Sequence, residues 1–204
     1  MNGHEKIKNQ SRDWLADALL DLMKKRPYPD ITIGQIADHA GLSRRTFYRF
    51  FKNKEEVMEY ITTSMSLLYE QHIIANQFET FDFQKIAHIF FSFFETHYEF
   101  LKLLQKNGLE FQILKLFNHY LPIICNHLLA DRIPPDATLS REQQLTYVRY
   151  FTRFNCGGFF NLLLFWLEQE TPLDATTMET SITAAFATFW NLGNAEAVMG
   201  QASR

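Results

Sequence analysis

Apolar side chains recur at intervals of about 3.6 residues along almost the whole chain, the repeat of one face of an α-helix. Only 8 glycines and 6 prolines interrupt 204 residues. The chain is therefore expected to be all-α. Its first helix is expected from about residue 7 to 26, with Trp14, Leu15, Ala18, Leu19, Leu22 and Met23 as one stripe and Pro27 and Pro29 ending it.

Three short helices follow in a tight succession. Thr32 and Gln35 have the spacing of a capping box, in which each residue satisfies the other's backbone N–H, and the helix they open ends at Gly41. Gly41 enters the left-handed turn conformation without a Cβ penalty. Ser43 then caps a helix running to about Phe51, and Asn53 opens a third, whose Glu55 and Glu56 favour the positive helix end. One helix ending two residues before the next begins is the spacing of a helix-turn-helix.

The second helix of that pair shows what the motif is for. Residues 42–54 hold five cations, Arg44, Arg45, Arg49, Lys52 and Lys54, among four aromatic residues, Phe47, Tyr48, Phe50 and Phe51. At about 100° per residue, Arg44, Tyr48, Lys52, Arg45 and Arg49 fall within one arc of about 140°, with Thr46, Phe47, Phe50 and Phe51 opposite. One face anchors the helix; the other offers guanidinium groups and a phenol. Such a helix fits the DNA major groove, where Arg forks onto guanine or phosphate oxygens and Tyr donates to phosphate. Charge placement agrees. Residues 1–60 carry 11 Lys or Arg against 9 Asp or Glu, and residues 61–204 carry 9 against 14, so the basic excess lies at the front.

The stretch "ITIGQIADHAGLSRRTFYRFFKNKEEVMEYI" resembles the N-terminal domain of the TetR family of bacterial transcriptional regulators, through Thr32, Ile36-Ala37, Ala40-Gly41, Ser43, Thr46 to Tyr48, Phe51 and Lys54. The resemblance implies a DNA-binding domain over residues 1–52 and a helical effector-binding and dimerisation domain over 53–204. It implies DNA contacts from Thr32, Gln35, Ser43, Arg44, Arg45, Thr46, Tyr48, Arg49, Lys52 and Lys54, with Thr32, Tyr48 and Lys54 on phosphates and Arg44 and Arg45 reading bases. Phe50 stands where the family often has His or Tyr, and Arg45 where a small residue is frequent.

Beyond residue 52 the residues speak for themselves. Helices are expected over 53–76, with Val57, Ile61 and Leu68 toward the core, over 83–106, over 109–129 with a break at Pro122, over 140–169 behind a Ser140/Gln143 cap, and over 176–192. Residues 130–140 form the clearest loop. The 140–169 segment is apolar on nearly every face, so part of its cover is expected from a second subunit. Gly157 and Gly158 are expected to mark a bend or a close helix approach. Gly157, Phe160, Trp166, Phe186 and Trp190 are expected at a dimer interface, and a homodimer presents two recognition helices to a palindrome. Phe90, Phe94, His97, Phe117, Tyr120, Asn155 and Phe159 are expected to line a small-molecule site for an apolar or aromatic effector, given 20 phenylalanines.

Other chemistry finds no support. No His-x-x-x-His pair, Gly-rich phosphate loop or Gly-x-Ser-x-Gly occurs, so neither metal, cofactor nor enzymatic activity is expected. Cys125 and Cys156 sit in apolar helical context, where thiols are inert. No apolar run reaches the length of about 20 residues that a membrane span needs, and a soluble cytoplasmic protein is expected. Double-stranded DNA and a second copy of the chain are the expected partners, and a repressor released by its effector is the expected mode. The second hypothesis is a coactivator working through a protein partner, since Gly157-Gly158 with "FWLEQETPLDATTMETS" resembles the branch of the family related to dihydroxyacetone-kinase activators.

Overall fold

The computed structural model describes residues 3–76, 83–115, 118, 140–170, 172–185 and 187–188. Among these every regular element is helical. They divide into two compact units, one of residues 1–69 with 99–121, the other of 70–98 with 122–204. The expected boundary at 52/53 thus falls inside the first unit.

The first unit opens with α1 (Gly3–Met23), whose Leu15, Ala18, Leu19, Leu22 and Met23 are buried. Trp14, expected in that stripe, is instead half exposed, because it sits one residue, about 100°, off the line that Leu15 begins. A 3₁₀ turn (Tyr28–Asp30) follows the prolines. Then come α2 (Ile33–His39) and α3 (Arg44–Phe50). Thr32 and Gln35 form the expected capping box, with Thr32 N–H donating to Gln35 Oε1 at 2.9 Å and Gln35 N–H to Thr32 Oγ1 at 3.3 Å. Gly41 has φ +67°, and the bond from Leu42 N to Ala37 O at 2.9 Å closes the turn between the helices. Ile36, Ala37, Phe47, Phe51 and Val57 fill the space between α1, α2, α3 and α4 (Lys54–Ala75), all 5 % exposed or less. Asn53 caps α4 by accepting from Glu56 N–H at 2.8 Å.

Along α4, Val57 and Ile61 are buried as expected, while Leu68 is half exposed and Tyr69 and Ile73 take its inward place. The helix expected over 83–106 is two: α5 (Phe83–Thr96) and α6 (Tyr98–Lys106). They part at His97, whose ring nitrogen Nδ1 lies 2.8 Å from the Phe93 carbonyl that its own backbone N–H also addresses. Helix α6 ends at Lys106, with Gly108 just beyond it at φ +69°, and Asn107 Oδ1 accepts from Tyr28 N–H at 2.7 Å, tying the end of α6 to the 3₁₀ turn within the first unit.

In the second unit α7 (Arg141–Glu168) starts at the expected Ser140/Gln143 box. Its buried line is Val148, Thr152, Cys156, Phe160, Leu163 and Trp166–Leu167. Phe159 reaches α5, with its ring 4.8 Å from that of Phe90. Trp166 donates its indole N–H to Leu173 O at 2.7 Å and meets Tyr98 edge-on. Asp174 then caps a helix over 175–185, accepting from Thr177 N–H and hydroxyl at 2.9 and 2.7 Å, bonds that hold its carboxyl below the usual range. From that helix the buried Glu179 accepts from Gln84 Nε2 and meets His88 Nδ1, each at 2.7 Å. No helix among the described residues is long and apolar enough to cross a membrane.

Candidate nucleic-acid interface

Helix α3 is held by what it buries. Phe47 is fully enclosed and Phe51 nearly so; their rings lie 6.0 Å apart, and Phe51 meets Tyr60 of α4 at 5.8 Å. Ser43 starts the helix, with Oγ accepting from Thr46 N–H at 3.1 Å and 2.9 Å from the Thr46 hydroxyl. These bonds make Ser43 and Thr46 a helix cap, with hydroxyls at the outer edge.

The opposite face is open. Arg44, Arg45 and Arg49 are exposed, and so is Tyr48 at 59 %. The Tyr48 ring stands edge-on to Phe47, which fixes the direction of its phenol. Arg45 has no hydrogen bond or ion pair among the described residues. Arg49 lies over the ring of Phe50, 4.6 Å from its centroid, and Arg12 of α1 approaches the same ring at 5.9 Å. Phe50 thus serves as a platform that gathers two guanidinium groups. Arg12 carried no motif in the sequence, since only the fold brings α1 beside Phe50.

Two cations differ from expectation. Lys52 lies past the end of α3, because Phe51 is already extended at φ −138°, ψ 139°. Its backbone N–H donates to Glu56 Oε2 at 2.8 Å and its ammonium is 3.6 Å from Glu56 Oε1. Lys54 points the other way. Its ammonium donates to the carbonyls of Tyr28, Pro29 and Ile31 at 2.7, 2.8 and 3.0 Å and lies over the Tyr28 ring. All three N–H groups are committed, so in this arrangement Lys54 buttresses the 3₁₀ turn and has no donor left for a phosphate.

Gly34, in the first turn of α2, carried no expected role. Its missing side chain matters: a Cβ there would sit 2.5 Å from Arg44 Nη2 and 2.9 Å from its Cζ. A glycine inside a capped seven-residue helix was the available signal.

In the second unit, Phe90, Phe94 and Phe159 come together, with Phe90 centred 4.7 Å from Phe94 and 4.8 Å from Phe159. They fill one another's space as core. His97 stacks on Phe93 at 4.3 Å, and Asn155 Nδ2 donates back to Phe151 O of its own helix, which sets both apart from that cluster. Phe117 and Tyr120 lie outside the described residues, as do Phe186, Trp190, Pro122, Cys125 and the 130–139 loop. Of the expected interface residues, Phe160 and Trp166 are buried within the unit rather than offered outward. Around Gly157 and Gly158 nothing described beyond the adjacent residues and the helix's own backbone comes within 4 Å of an added Cβ, so the expected close helix approach is not made among the described residues. The aromatic residues of α7 that do face out are Tyr147, Tyr150, Phe151, Phe154 and Phe165, the first four of which, with Glu142, Gln143 and Thr146, line an open groove of about 680 Å³.

Residues 15–61 match the family model described as bacterial regulatory proteins, tetR family. Over 47 residues the chain is 38 % identical to the HTH-type dhaKLM operon transcriptional activator DhaS of Lactococcus lactis subsp. lactis, a match spanning 23 % of this chain and 25 % of that protein. Among solved structures, the fatty acid degradation regulator FadR of Bacillus halodurans is similar with a TM-score of 0.61 at 18 % identity, over 84 % of this chain and 91 % of that one. A tetR-family transcriptional regulator from Streptomyces coelicolor gives 0.58 at 18 %, over 92 % and 83 %. With the helix-turn-helix built from residues 33–50 inside the matched segment, residues 15–61 form a helix-turn-helix DNA-binding domain of the kind that the tetR family of bacterial regulatory proteins carries.

Proposed function

We propose that the protein is a homodimeric repressor that grips a palindromic operator through α3 and releases it on binding a small apolar or aromatic effector. The observation that carries the DNA part is the two-sided build of α3: Phe47 and Phe51 buried beneath, and above them Arg45, Tyr48 and Arg49, exposed and paired with no carboxylate among the described residues. A helix so anchored enters the major groove with its N-terminal residues on base edges. Of the ten expected DNA residues, Arg44, Arg45, Tyr48 and Arg49 keep that role; Thr32, Gln35, Ser43 and Thr46 build the caps that aim them, with hydroxyls near the backbone. Lys52 adds charge at the rim, and Lys54 supports the fold.

A second copy is supported by the exposed aromatic side of α7. Two copies place their α3 helices about 34 Å apart, one DNA turn, or further. An effector that empties the operator must favour the released state by about 10⁴-fold, roughly 5.5 kcal/mol. Because Phe90, Phe94 and Phe159 pack on one another as core, the effector part rests on the resemblance and the phenylalanine-rich composition. Activation is the second reading, favoured by the relative from Lactococcus lactis, which is named an activator; there the outward face of α7 would meet a partner protein.

Gel shifts with enriched genomic fragments test this. Specific binding should weaken on Arg45→Ala or Tyr48→Phe, and log K should fall with log salt by about 0.9 per phosphate neutralised. Intact protein that binds no duplex at low salt refutes the DNA reading.

A further inference from the structure

We propose that Gly34 seats the guanidinium of Arg44, and thereby divides the work of two adjacent arginines: Arg44 grips the DNA backbone while Arg45 reads base edges. The inference rests on the DNA-binding reading above and amends it, since both arginines carry the same chemistry in the sequence.

Gly34 lies in the first turn of α2 and is buried. Among the described glycines only Gly41 and Gly108 have positive φ, so backbone conformation does not require glycine at 34, and alanine is the better helix former. What a side chain at 34 would displace is Arg44. It leaves the first turn of α3 and folds back over α2, bringing Nη2, Cζ and Nε within 2.5–2.9 Å of where a Cβ would stand. Nothing pairs with this guanidinium: Arg44 makes no hydrogen bond or ion pair among the described residues. It is therefore a positioned cation with its donors unspent.

Position decides its target. In a helix-turn-helix the first helix crosses the sugar-phosphate backbone and the second enters the groove. A guanidinium resting on α2 belongs to the backbone side, and it has given up the reach that a base edge at the groove floor demands. Arg45, about 100° further round α3, is exposed, makes no hydrogen bond or ion pair among the described residues, and keeps its reach for the groove. Phosphate contacts fix register and carry no sequence information; base contacts specify.

The test uses the intact chain with an enriched operator fragment and a mixed-sequence duplex of equal length, in fluorescence anisotropy over a salt series. Gly34→Ala and Arg44→Ala should each weaken both duplexes by the same factor, several-fold, and reduce the salt slope by about one. The double variant should be no worse than Arg44→Ala alone. Arg45→Ala should lose the operator fragment far more than the mixed sequence. In the free protein, ¹⁵N spectra should show the Arg44 Nε–H resonance moved by Gly34→Ala and that of Arg45 unmoved, with unchanged circular dichroism. Gly34→Ala that leaves the Arg44 resonance in place, acts on the operator alone, or adds fully to Arg44→Ala overturns the inference while leaving the DNA reading standing. Wild-type protein that binds neither duplex sinks the reading itself, and the division of labour with it.

Discussion

Lys54 shows how far a residue's neighbours can redirect it. Its position beside the helix-turn-helix made it a phosphate contact by resemblance, and its sequence neighbours, Asn53 and Glu55, say nothing against that. The three carbonyls that claim it come from residues 28–31, more than twenty positions away. Only the fold brings them into reach. Removing the ammonium by Lys54→Ala leaves three carbonyl oxygens short of a donor, and a loss of about 2 kcal/mol is expected for the charged hydrogen bonds. Lys54→Arg should not restore it, since a planar fork cannot address three converging oxygens as an ammonium does. Thermal melts measure that loss; the salt slope of DNA binding should stay as in wild type, and a slope lower by one would return Lys54 to the phosphates. Tyr60 gives a pH prediction. It donates to Asp13 Oδ1 at 2.6 Å, and burial first, then that carboxylate, push its hydroxyl up to about 12 from an ordinary 10.0. A raised pKa means that the folded chain holds the proton more tightly, so its stabilisation is complete below pH 10 and is lost as pH rises toward 12. Tyr60→Phe should flatten the fall in Tm over that window, and parallel curves for variant and wild type would refute it.

At the scale of elements, what is local in sequence is legible and what is long-range is not. Thr32 with Gln35, Ser140 with Gln143, Ser43 and Asn53 each announce a helix start, because cap and partner are three residues apart and need no fold to meet. The Gly41 turn is legible for the same reason. Helix α3 separates into its two faces on a simple wheel, as Phe47 and Phe51 below and Arg45 and Tyr48 above confirm. The break between α5 and α6 is not legible, since the apolar repeat runs straight through His97, and the ring that takes the Phe93 carbonyl has no sequence signature. Trp14 and Leu68 fail for a related reason: periodicity marks a stripe but not its edges. The α2 cap carries a prediction of its own. Thr32→Ala removes the acceptor for Gln35 N–H and is expected to cost about 1 kcal/mol, a Tm lower by roughly 2–4 °C in a chain of this size. Thr32→Ser should restore most of it. A melt unchanged by Thr32→Ala would mean that packing of Ile36 and Ala37, rather than the cap, sets where α2 begins.

For the whole molecule, the decisive surface is the outer side of α7. Sequence marks this helix as apolar on nearly every face, yet cannot say which side the chain leaves exposed; the expected Phe160 and Trp166 turn out to be inside. Left outside are Tyr147, Tyr150, Phe151, Phe154 and Phe165, exposed by 72, 73, 45, 77 and 60 %. Tyr147, Phe151, Phe154, Gly158 and Phe165 fall at steps of four, three, four and seven, one continuous seam along the helix. Aromatic side chains bury about 150–250 Å² each, so the five exposed aromatic residues, Tyr150 included, expose on the order of 600 Å², a patch larger than most monomers leave bare and near the roughly 800 Å² per partner of a stable interface. Gly158 adds open room on the same seam for another helix backbone. In the homodimer proposed above, a second copy meeting this one about a two-fold axis would cover the seam with its own. Phe154→Glu combined with Tyr147→Glu puts charge into that contact but touches no buried side chain of the single chain, so the helical content should persist while the mass found by light scattering halves. Dimer loss should then cost more than tenfold on a palindromic fragment and leave binding to an isolated half-site unchanged, because each α3 keeps its own anchors, Phe47 and Phe51. A variant that stays dimeric at micromolar concentration places the seam elsewhere in the protein's work, against a partner of another kind.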